Sequence, residues 1–193
     1  MSQTLTTKYG SIRGSEIDGV TRFLGIPYAA PLTAANRFLP ALPPQPWQGE
    51  RDATAYGATV TQNPYRAPLD AIFGDARIAG DEQLNLNVWT PDVAGSAPVL
   101  VWIHGGAFVR GSGSIPTYDG TSFARNGVVC VTINYRVGAL GFLDVGDETA
   151  NIGIRDQIAA LAWVQENISA FGGDPSRVTV AGQSAGAMGI GAL

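Results

Sequence analysis

The chain has 193 residues, of which 45% are hydrophobic and 15% are charged, so it holds enough apolar material for one sizeable core in a single domain. This composition argues against a disordered chain. The formal net charge is -4, and no basic residues cluster along the sequence, which argues against nucleic acid as a partner.

The first residues and the cysteine content indicate the cellular setting. Residues 1–10 (MSQTLTTKYG) are polar and unlike a signal peptide, and no apolar run approaches the length of a membrane span. We therefore expect a cytoplasmic protein with no membrane partner, unless an upstream leader has been removed. Cys130 is the only cysteine and lies in an apolar run, so we expect a buried, inert thiol. One histidine and one cysteine provide no zinc site.

The first predicted elements are two antiparallel strands within residues 6–24. They are joined at Asp18 and Gly19, a pair suited to the positive φ angles of a hairpin turn. Residues 40–49 (PALPPQPWQG) are rich in proline, and the stretch up to residue 80 shows no sustained periodicity. We expect this stretch to be a long excursion over the surface and not a linker between domains, because strands follow directly.

The following elements alternate between strands and a helix. Residues 84–89 (LNLNVW) have a period of two, whereas residues 99–103 (VLVWI) and 128–133 (VVCVTI) are nearly continuous apolar runs, typical of strands covered on both faces. Apolar residues at helical spacing predict a helix over residues 154–168, which the sequence FGGDP then ends. A further strand is predicted over residues 178–181 (VTVA).

This order of elements predicts an α/β fold. We expect a mostly parallel sheet with covering helices and a small antiparallel hairpin at the amino terminus, since parallel neighbours need crossover connections. In open sheets of this kind, ligand sites form beyond the carboxyl ends of the strands. Two glycine-rich segments of this sequence occupy such positions.

The first of these segments is residues 182–186 (GQSAG), which match the nucleophile-elbow pattern. The alternative is an ordinary tight turn, because GxSxG arises by chance in a chain with 25 glycines. The strand before the motif and the small-residue stretch after it supply the strand, turn and helix that the motif requires. We therefore predict that Ser184 is a nucleophile at the amino end of a helix, where the helix dipole favours developing negative charge.

The second segment is residues 104–108 (HGGAF), directly after the strand at residues 99–103. Glycine backbone can turn its N–H groups toward a ligand, so we predict an oxyanion hole formed by the N–H groups of Gly105, Gly106 and Ala185. Loss of one such donor typically costs about 2.7 to 4 kcal/mol of transition-state stabilisation. The alternative is a glycine loop needed only for packing. It is less favoured because both halves of one site occur in the correct order.

Taken together, these motifs resemble the type-B carboxylesterase family, which includes para-nitrobenzyl esterases and cholinesterases. The resemblance implies an α/β-hydrolase fold in which residues 1–193 form the amino-terminal part of a single domain. It also implies that Ser184 is the nucleophile, that Gly105, Gly106 and Ala185 hold the oxyanion, and that no metal or organic cofactor is needed. The likeness runs from about Gly10 to the end and is carried by residues 23–29, 84–91, 104–108, 134–143 and 151–186.

Two departures from the family pattern affect specificity and redox setting. Residues 81–83 are Asp-Glu-Gln where relatives commonly have Glu-Asp-Cys, so the disulfide of secreted members cannot form. Gln183 stands where cholinesterases have a glutamate before the nucleophile, which removes a negative charge beside the acyl site and puts a preference for cationic choline esters in doubt.

The resemblance also implies a triad acid and a triad histidine far beyond the nucleophile, whereas this sequence ends nine residues after Ser184. We therefore expect a missing carboxyl-terminal part. The chain alone should be nearly inactive and prone to aggregate through the uncovered strand at residues 178–181. In relatives His104 belongs to the oxyanion loop and is not the triad base. The acidic side chains are expected to be solvated or to pair with Arg136 or Arg155; they are Asp81, Glu82, Asp144 and Asp156.

The function that the sequence favours is hydrolysis of small, uncharged carboxylic esters, short-chain or aryl, through an acyl-enzyme on Ser184. One alternative is a non-catalytic binding module, since the same fold serves adhesion proteins. Another is an inactive truncated fragment that lacks the triad acid and histidine, or one that acts only after assembly with another chain.

Overall fold

The structure, a computed structural model, describes residues 2–68, 71–72, 76–144, 146 and 150–193. Within these residues, strands and helices alternate after an antiparallel start. The strands are β1 (Ser2–Thr7), β2 (Gly10–Ile17), β3 (Val20–Pro27), β4 (Glu50–Asp52), β5 (Asn85–Thr90), β6 (Ala97–Ile103), β7 (Val129–Ile133) and β8 (Gly173–Gly182). The helices are α1 (Thr121–Arg125), α2 (Gly138–Phe142), α3 (Ile152–Asn167) and α4 (Ala185–Ile190), with short 3-10 turns at Pro116–Tyr118 and Ile168–Phe171.

All eight strands belong to one sheet, in the order β1-β2-β3-β5-β7-β6-β8, with β4 beside β2. The sheet is mixed, so the expectation of a mostly parallel sheet needs correction. Neighbours from β1 to β7 along this order are antiparallel, and only β7-β6-β8 and the short β2–β4 contact are parallel. The tight turns between β1, β2 and β3 permit antiparallel neighbours only, and the other two antiparallel pairs follow from the position of β5 between β3 and β7.

The predicted elements are present with small shifts in their bounds. The hairpin turn between β2 and β3 is formed by Asp18 and Gly19, with φ angles of 53° and 75°. The predicted helix corresponds to α3, and β6, β7 and β8 contain the three predicted apolar strands. Sequence reasoning missed β1, which is polar, and α1 and α2, which have five residues each and are too short for a periodic pattern.

The long excursion before β5 is irregular apart from β4 and is fixed to the sheet by specific contacts. The indole N–H of Trp47 donates to the carbonyl of Ser11 at 2.8 Å. Arg51 binds Glu82 through two hydrogen bonds of 2.9 and 2.6 Å. Glu82 therefore pairs with Arg51, and not with Arg136 or Arg155 as expected, because β4 carries Arg51 to the end of the excursion.

A buried ion pair lies between the end of β7 and helix α3. Asp156 accepts hydrogen bonds from the Nε, the NH2 group and the backbone N–H of Arg136, at 2.8, 2.6 and 3.0 Å. Both side chains are fully buried. Arg136 also donates to the carbonyls of Arg37 and Leu39, so one guanidinium ties the excursion to α3. From the sequence, Asp156 was expected to be solvated or to pair with Arg136 or Arg155, and the structure has the pair with Arg136.

The core lies on both faces of the central strands. Every residue of β5 and β7 is buried, including Asn85 and Asn87, whose side-chain amides donate to Ala58 and Thr132. Buried polar groups satisfied in this way do not oppose burial of the strand. In the part of the chain that the structure describes, no helix is long and apolar enough to cross a lipid bilayer.

Candidate active site

The site is built where two parallel strands end side by side. β6 and β8 are neighbours in register, with Ile103 opposite Gly182, and the N–H of Gln183 donates to the carbonyl of Ile103 at 3.2 Å. The glycine-rich loop after β6 and the turn after β8 therefore begin at the same edge of the sheet. β6 lies between β7 and β8, so the connections that leave the ends of these strands diverge at this edge. α/β sheets place their ligands at such a point.

Ser184 occupies a strained turn between β8 and α4. Its φ of 51° and ψ of -117° are unusual for a residue with a Cβ, and it directly precedes the first residue of α4. The turn is tight because Gly186 lies against β6, where an added Cβ would come within 2.2 Å of the carbonyl oxygen of Ile103. The serine side chain is exposed at the amino end of α4, as a nucleophile elbow requires.

The loop after β6 is strained in the same region. Ala107 and Phe108 have φ angles of 56° and 60°, which non-glycine residues rarely adopt. Gly105 and Gly106 line one cavity together with Ser184. Ala185 follows as the first residue of α4, and the N–H at this helix position has no partner within the helix. The structure thus brings the predicted nucleophile and its predicted oxyanion donors to one place.

His104 is buried at the start of the glycine-rich loop after β6, the loop predicted to form the oxyanion hole. Its ring is fully buried, stacks on Tyr135 with centroids 4.4 Å apart, and places Nδ1 at 2.8 Å from the carbonyl oxygen of Gly105. Burial lowers the pKa of His104 to about 4, so the ring is neutral at pH 7 and Nδ1 carries the proton that the carbonyl accepts. Because C=O and N–H point in opposite directions across a trans peptide, this bond directs the N–H of Gly106 away from His104.

The same ring is not hydrogen-bonded to the nucleophile. Among the described residues, Nε2 of His104 has no hydrogen-bond partner, so it does not contact the hydroxyl of Ser184. This agrees with the interpretation of His104 as part of the oxyanion loop. The remaining candidate acids are also engaged elsewhere or exposed: Asp156 binds Arg136, Glu82 binds Arg51, and Asp144 accepts the N–H of Gly146.

Burial of His104 predicts a pH-dependent stability. Its pKa falls from 6.5 in the unfolded chain to about 4 in the folded chain, so between these values the unfolded chain binds a proton that the folded chain does not. Stability should therefore be complete above pH 6.5 and decrease as the pH falls toward 4, by about 3 kcal/mol from this residue. Urea unfolding of the full-length protein at several pH values measures this decrease.

The matched variant for this measurement is His104→Asn, whose amide can donate to the carbonyl of Gly105 but does not titrate. We expect its free energy of unfolding to change less between pH 6.5 and pH 4.5 than that of the unmodified protein. Equal changes in both proteins would show that His104 does not have the lowered pKa.

The cavity in front of Ser184 has a volume of about 490 Å³, within the range of small-molecule sites. Sequence reasoning missed much of its wall, because nothing in the spacing of these residues pointed to the site. Tyr118, in the turn Pro116–Tyr118, donates its hydroxyl to Oε1 of Gln183 at 2.5 Å. The side chains that complete the wall come from the excursion and from the oxyanion loop; they are Tyr65, Arg66, Val109, Arg110 and Ile115.

Replacing Gly105 with alanine should impair the oxyanion hole. An added Cβ would lie 2.8 Å from the carbonyl oxygen of Gln183 and 3.3 Å from the Cβ of Ser184, so the loop must move away from the nucleophile. We expect a loss in kcat of about 10²- to 10³-fold, the usual effect of losing one donor. Steady-state hydrolysis of an aryl ester by the full-length protein measures this loss. Gly191→Ala is the control, since its Cβ would meet one atom, at 3.4 Å.

Two other sequence-based expectations concern metals and Cys130. Among the described residues, no group of three or more His, Cys, Asp or Glu side chains could hold a metal ion. Cys130 is buried in β7, and burial raises the pKa of its thiol to about 12. A thiol of this kind is unreactive at neutral pH, as predicted.

Comparisons with known proteins place this geometry in context. A family model described as the carboxylesterase family matches residues 1–193. The para-nitrobenzyl esterase of Bacillus subtilis (strain 168) is 46% identical over 200 residues, covering 99% of this chain and 40% of that protein. The phenmedipham hydrolase of Pseudarthrobacter oxydans is also 46% identical, over 97% of this chain and 38% of that protein.

Solved structures show the same relationship. A carboxylesterase of Geobacillus stearothermophilus at pH 6.8 matches with a TM-score of 0.86 and 47% identity, over 97% of this chain and 40% of that chain. A structure of PNB esterase matches with a TM-score of 0.88 and 45% identity over the same shares. These likenesses confirm the α/β-hydrolase fold. The chain spans about 40% of the length of the relatives that it matches.

Proposed function

We propose that this chain, which belongs to the carboxylesterase family as its motifs predicted, carries the nucleophile and the oxyanion hole of a carboxylic ester hydrolase. One observation carries this proposal: Ser184 stands in a strained turn at the amino end of α4, on the wall of the same cavity as Gly105 and Gly106. Strain of this kind at a serine beside glycine-rich backbone has a catalytic explanation and no evident structural one.

In the proposed reaction, the hydroxyl oxygen of Ser184 attacks the ester carbonyl and its proton passes to a general base. The negative charge that develops on the carbonyl oxygen is held by the N–H groups of Gly105, Gly106 and Ala185. The alcohol leaves with a proton, and an acyl-enzyme on Ser184 remains. Water then attacks the acyl carbonyl, and the acid is released by the same groups.

The general base and its acid partner lie outside residues 1–193 in this proposal. His104, the only histidine of this sequence, is neutral, buried and bonded to Gly105, so it cannot receive the proton of Ser184. We place the base and the acid in a further part of the same enzyme, in agreement with relatives about 2.5 times as long as this chain. Residues 1–193 then form the amino-terminal part of one hydrolase domain.

We propose short-chain or aryl esters as the substrates. A cavity of about 490 Å³ accommodates an acyl group and a small leaving group. Gln183 supplies no negative charge beside the nucleophile, which disfavours cationic choline esters. Relatives named for different substrates, a para-nitrobenzyl esterase and a fumonisin B1 esterase, match this chain at 46% and 43% identity, so the finer specificity arises from residues that differ among them.

Labelling with a fluorophosphonate ester, followed by intact mass, tests this proposal on the full-length protein. We expect one label per chain, lost in the variant Ser184→Ala and in heat-denatured protein, because only an activated serine reacts rapidly. Absence of labelling in a folded sample would contradict the esterase proposal. It would favour a binding module or an inactive assembly.

A further inference from the structure

The wall of the cavity in front of Ser184 is unusual in its charge. Two arginines, Arg66 and Arg110, belong to its lining, and no carboxylate belongs to its described lining. Low-dielectric walls that carry one sign of charge concentrate the field inside a cleft. The charged side chains of the described lining are thus cationic, although the net charge of the sequence is -4.

Arg110 is held in this wall by two contacts. Its guanidinium lies over the ring of Tyr65, with 4.9 Å between Cζ and the ring centroid, and its NH1 group donates to the carbonyl of Pro64 at 2.7 Å. A guanidinium has five N–H donors, so donors remain available after this contact. Arg66 is the next residue after Tyr65 and is exposed at the cavity. Arg66 and Arg110 therefore both lie where the excursion contacts the loop after β6.

The side chain of Gln183, the residue before Ser184, is oriented by a hydrogen bond from Tyr118. The hydroxyl of Tyr118 donates to Oε1 of Gln183 at 2.5 Å, which occupies the acceptor end of the amide. Burial raises the pKa of Tyr118, and the nearby backbone of Gly105 opposes this effect. The phenol then uses its own proton toward Gln183. The donor end of the amide, Nε2, is not used in this hydrogen bond.

We propose that this cavity selects esters that carry a carboxylate on the acyl or the alcohol part, with Arg66 and Arg110 as the groups that bind it and Tyr118 as the residue that orients Gln183. This inference rests on the proposed function and narrows its substrate class. Guanidinium groups form charge-assisted, bidentate hydrogen bonds with carboxylates, and a fixed amide donor adds to them. Uncharged esters remain substrates, and cationic esters are disfavoured by repulsion.

Three aryl esters of matched acyl length test the proposal on the full-length protein. They are the 4-nitrophenyl esters of glutaric acid, of valeric acid and of 4-(trimethylammonio)butyric acid, which are anionic, neutral and cationic. Each kcat/KM is divided by the rate constant of the uncatalysed hydrolysis. We expect the anionic ester to exceed the cationic ester by tenfold or more, since a single unit charge near a guanidinium corresponds to about this factor. The preference should weaken at high salt.

Variants identify the residues responsible. Arg66→Gln should lower the ratio of anionic to neutral kcat/KM by about three- to tenfold, mainly through KM, because a rim charge acts on binding. Gln183→Glu should shift the preference toward the cationic ester, and Tyr118→Phe should reduce the anionic preference by releasing the amide. Arg125→Gln is the matched control, since Arg125 pairs with Asp18 on the surface of α1, and it should leave the ratio unchanged.

The outcomes separate this inference from the proposed function. Hydrolysis of the neutral ester without any charge preference, or a preference for the cationic ester, would overturn the inference and leave the esterase function intact. An anionic preference that persists in Arg66→Gln and in an Arg110→Gln variant would also overturn it. If none of the three esters is hydrolysed and Ser184 is not labelled, both proposals fail.

Discussion

The variant Ser184→Ala should lose nearly all ester hydrolysis, with kcat lower by about 10⁶-fold, as when a serine nucleophile is removed from a comparable triad enzyme. The reason is chemical, because alanine has no oxygen to attack the carbonyl and no acyl-enzyme can form. KM should change little, since the cavity wall is kept. Release of 4-nitrophenol from a short-chain ester by the full-length protein measures the loss, and a rapid-quench burst reports the acyl-enzyme in the unmodified protein.

Ser122→Ala is the matched control, because Ser122 is an exposed serine of α1 away from the cavity. It should retain full turnover and a full burst. Residual activity in Ser184→Ala above about one thousandth of the unmodified rate would show that another group performs the attack, since binding and the oxyanion hole alone leave 10³- to 10⁴-fold catalysis over water. In that case the elbow would be a structural turn.

The site was predictable from the sequence because its chemistry depends on local backbone. Ser184 needs glycines close by so that α4 can approach β6, and the oxyanion loop needs residues without a Cβ beside the nucleophile. Both requirements leave a fixed pattern in the sequence, GQSAG and HGG. The strands before each motif are apolar runs that indicate burial on both faces. These signals placed each of the two motifs at the carboxyl end of a strand.

The parts that were not predictable depend on contacts between distant segments. The mixed sheet follows from the place that β5 takes between β3 and β7, a pairing that no local pattern specifies. Arg66 and Arg110 line the cavity where the excursion contacts the loop after β6, and Tyr118 reaches it from the turn Pro116–Tyr118. The short helices α1 and α2 lack the length at which periodicity can be recognised.

The strained backbone of this fold lies around the cavity, whereas a buried ion pair lies beside β7 and α3. Positive φ angles at Ala107, Phe108 and Ser184 concentrate unfavourable backbone geometry around the cavity. Such geometry persists only where the surrounding structure fixes it. The buried pair of Arg136 and Asp156, next to β7 and α3, provides fixed structure of this kind, since it joins a strand, a helix and the excursion.

The variant Asp156→Asn should therefore be strongly destabilised, by about 3 to 5 kcal/mol, the usual cost of removing one partner from a buried ion pair. Asparagine has one acceptor oxygen for the three N–H donors of Arg136, and its own NH2 group would face the guanidinium. The remaining positive charge would stay fully buried. Urea unfolding of the full-length protein at pH 7 measures the loss as a lower midpoint with an unchanged slope.

Asp18→Asn makes the same chemical change in an exposed pair, that of Asp18 with Arg125 at 2.7 Å, and asparagine tolerates the positive φ of this turn. It should leave the midpoint nearly unchanged, because exposed ion pairs contribute little. In the folded fraction of Asp156→Asn, fluorophosphonate should still label Ser184, since Asp156 does not touch the cavity. A midpoint for Asp156→Asn equal to that of Asp18→Asn would mean that Arg136 is satisfied without Asp156, and that the carbonyls of Arg37 and Leu39 are enough to hold it.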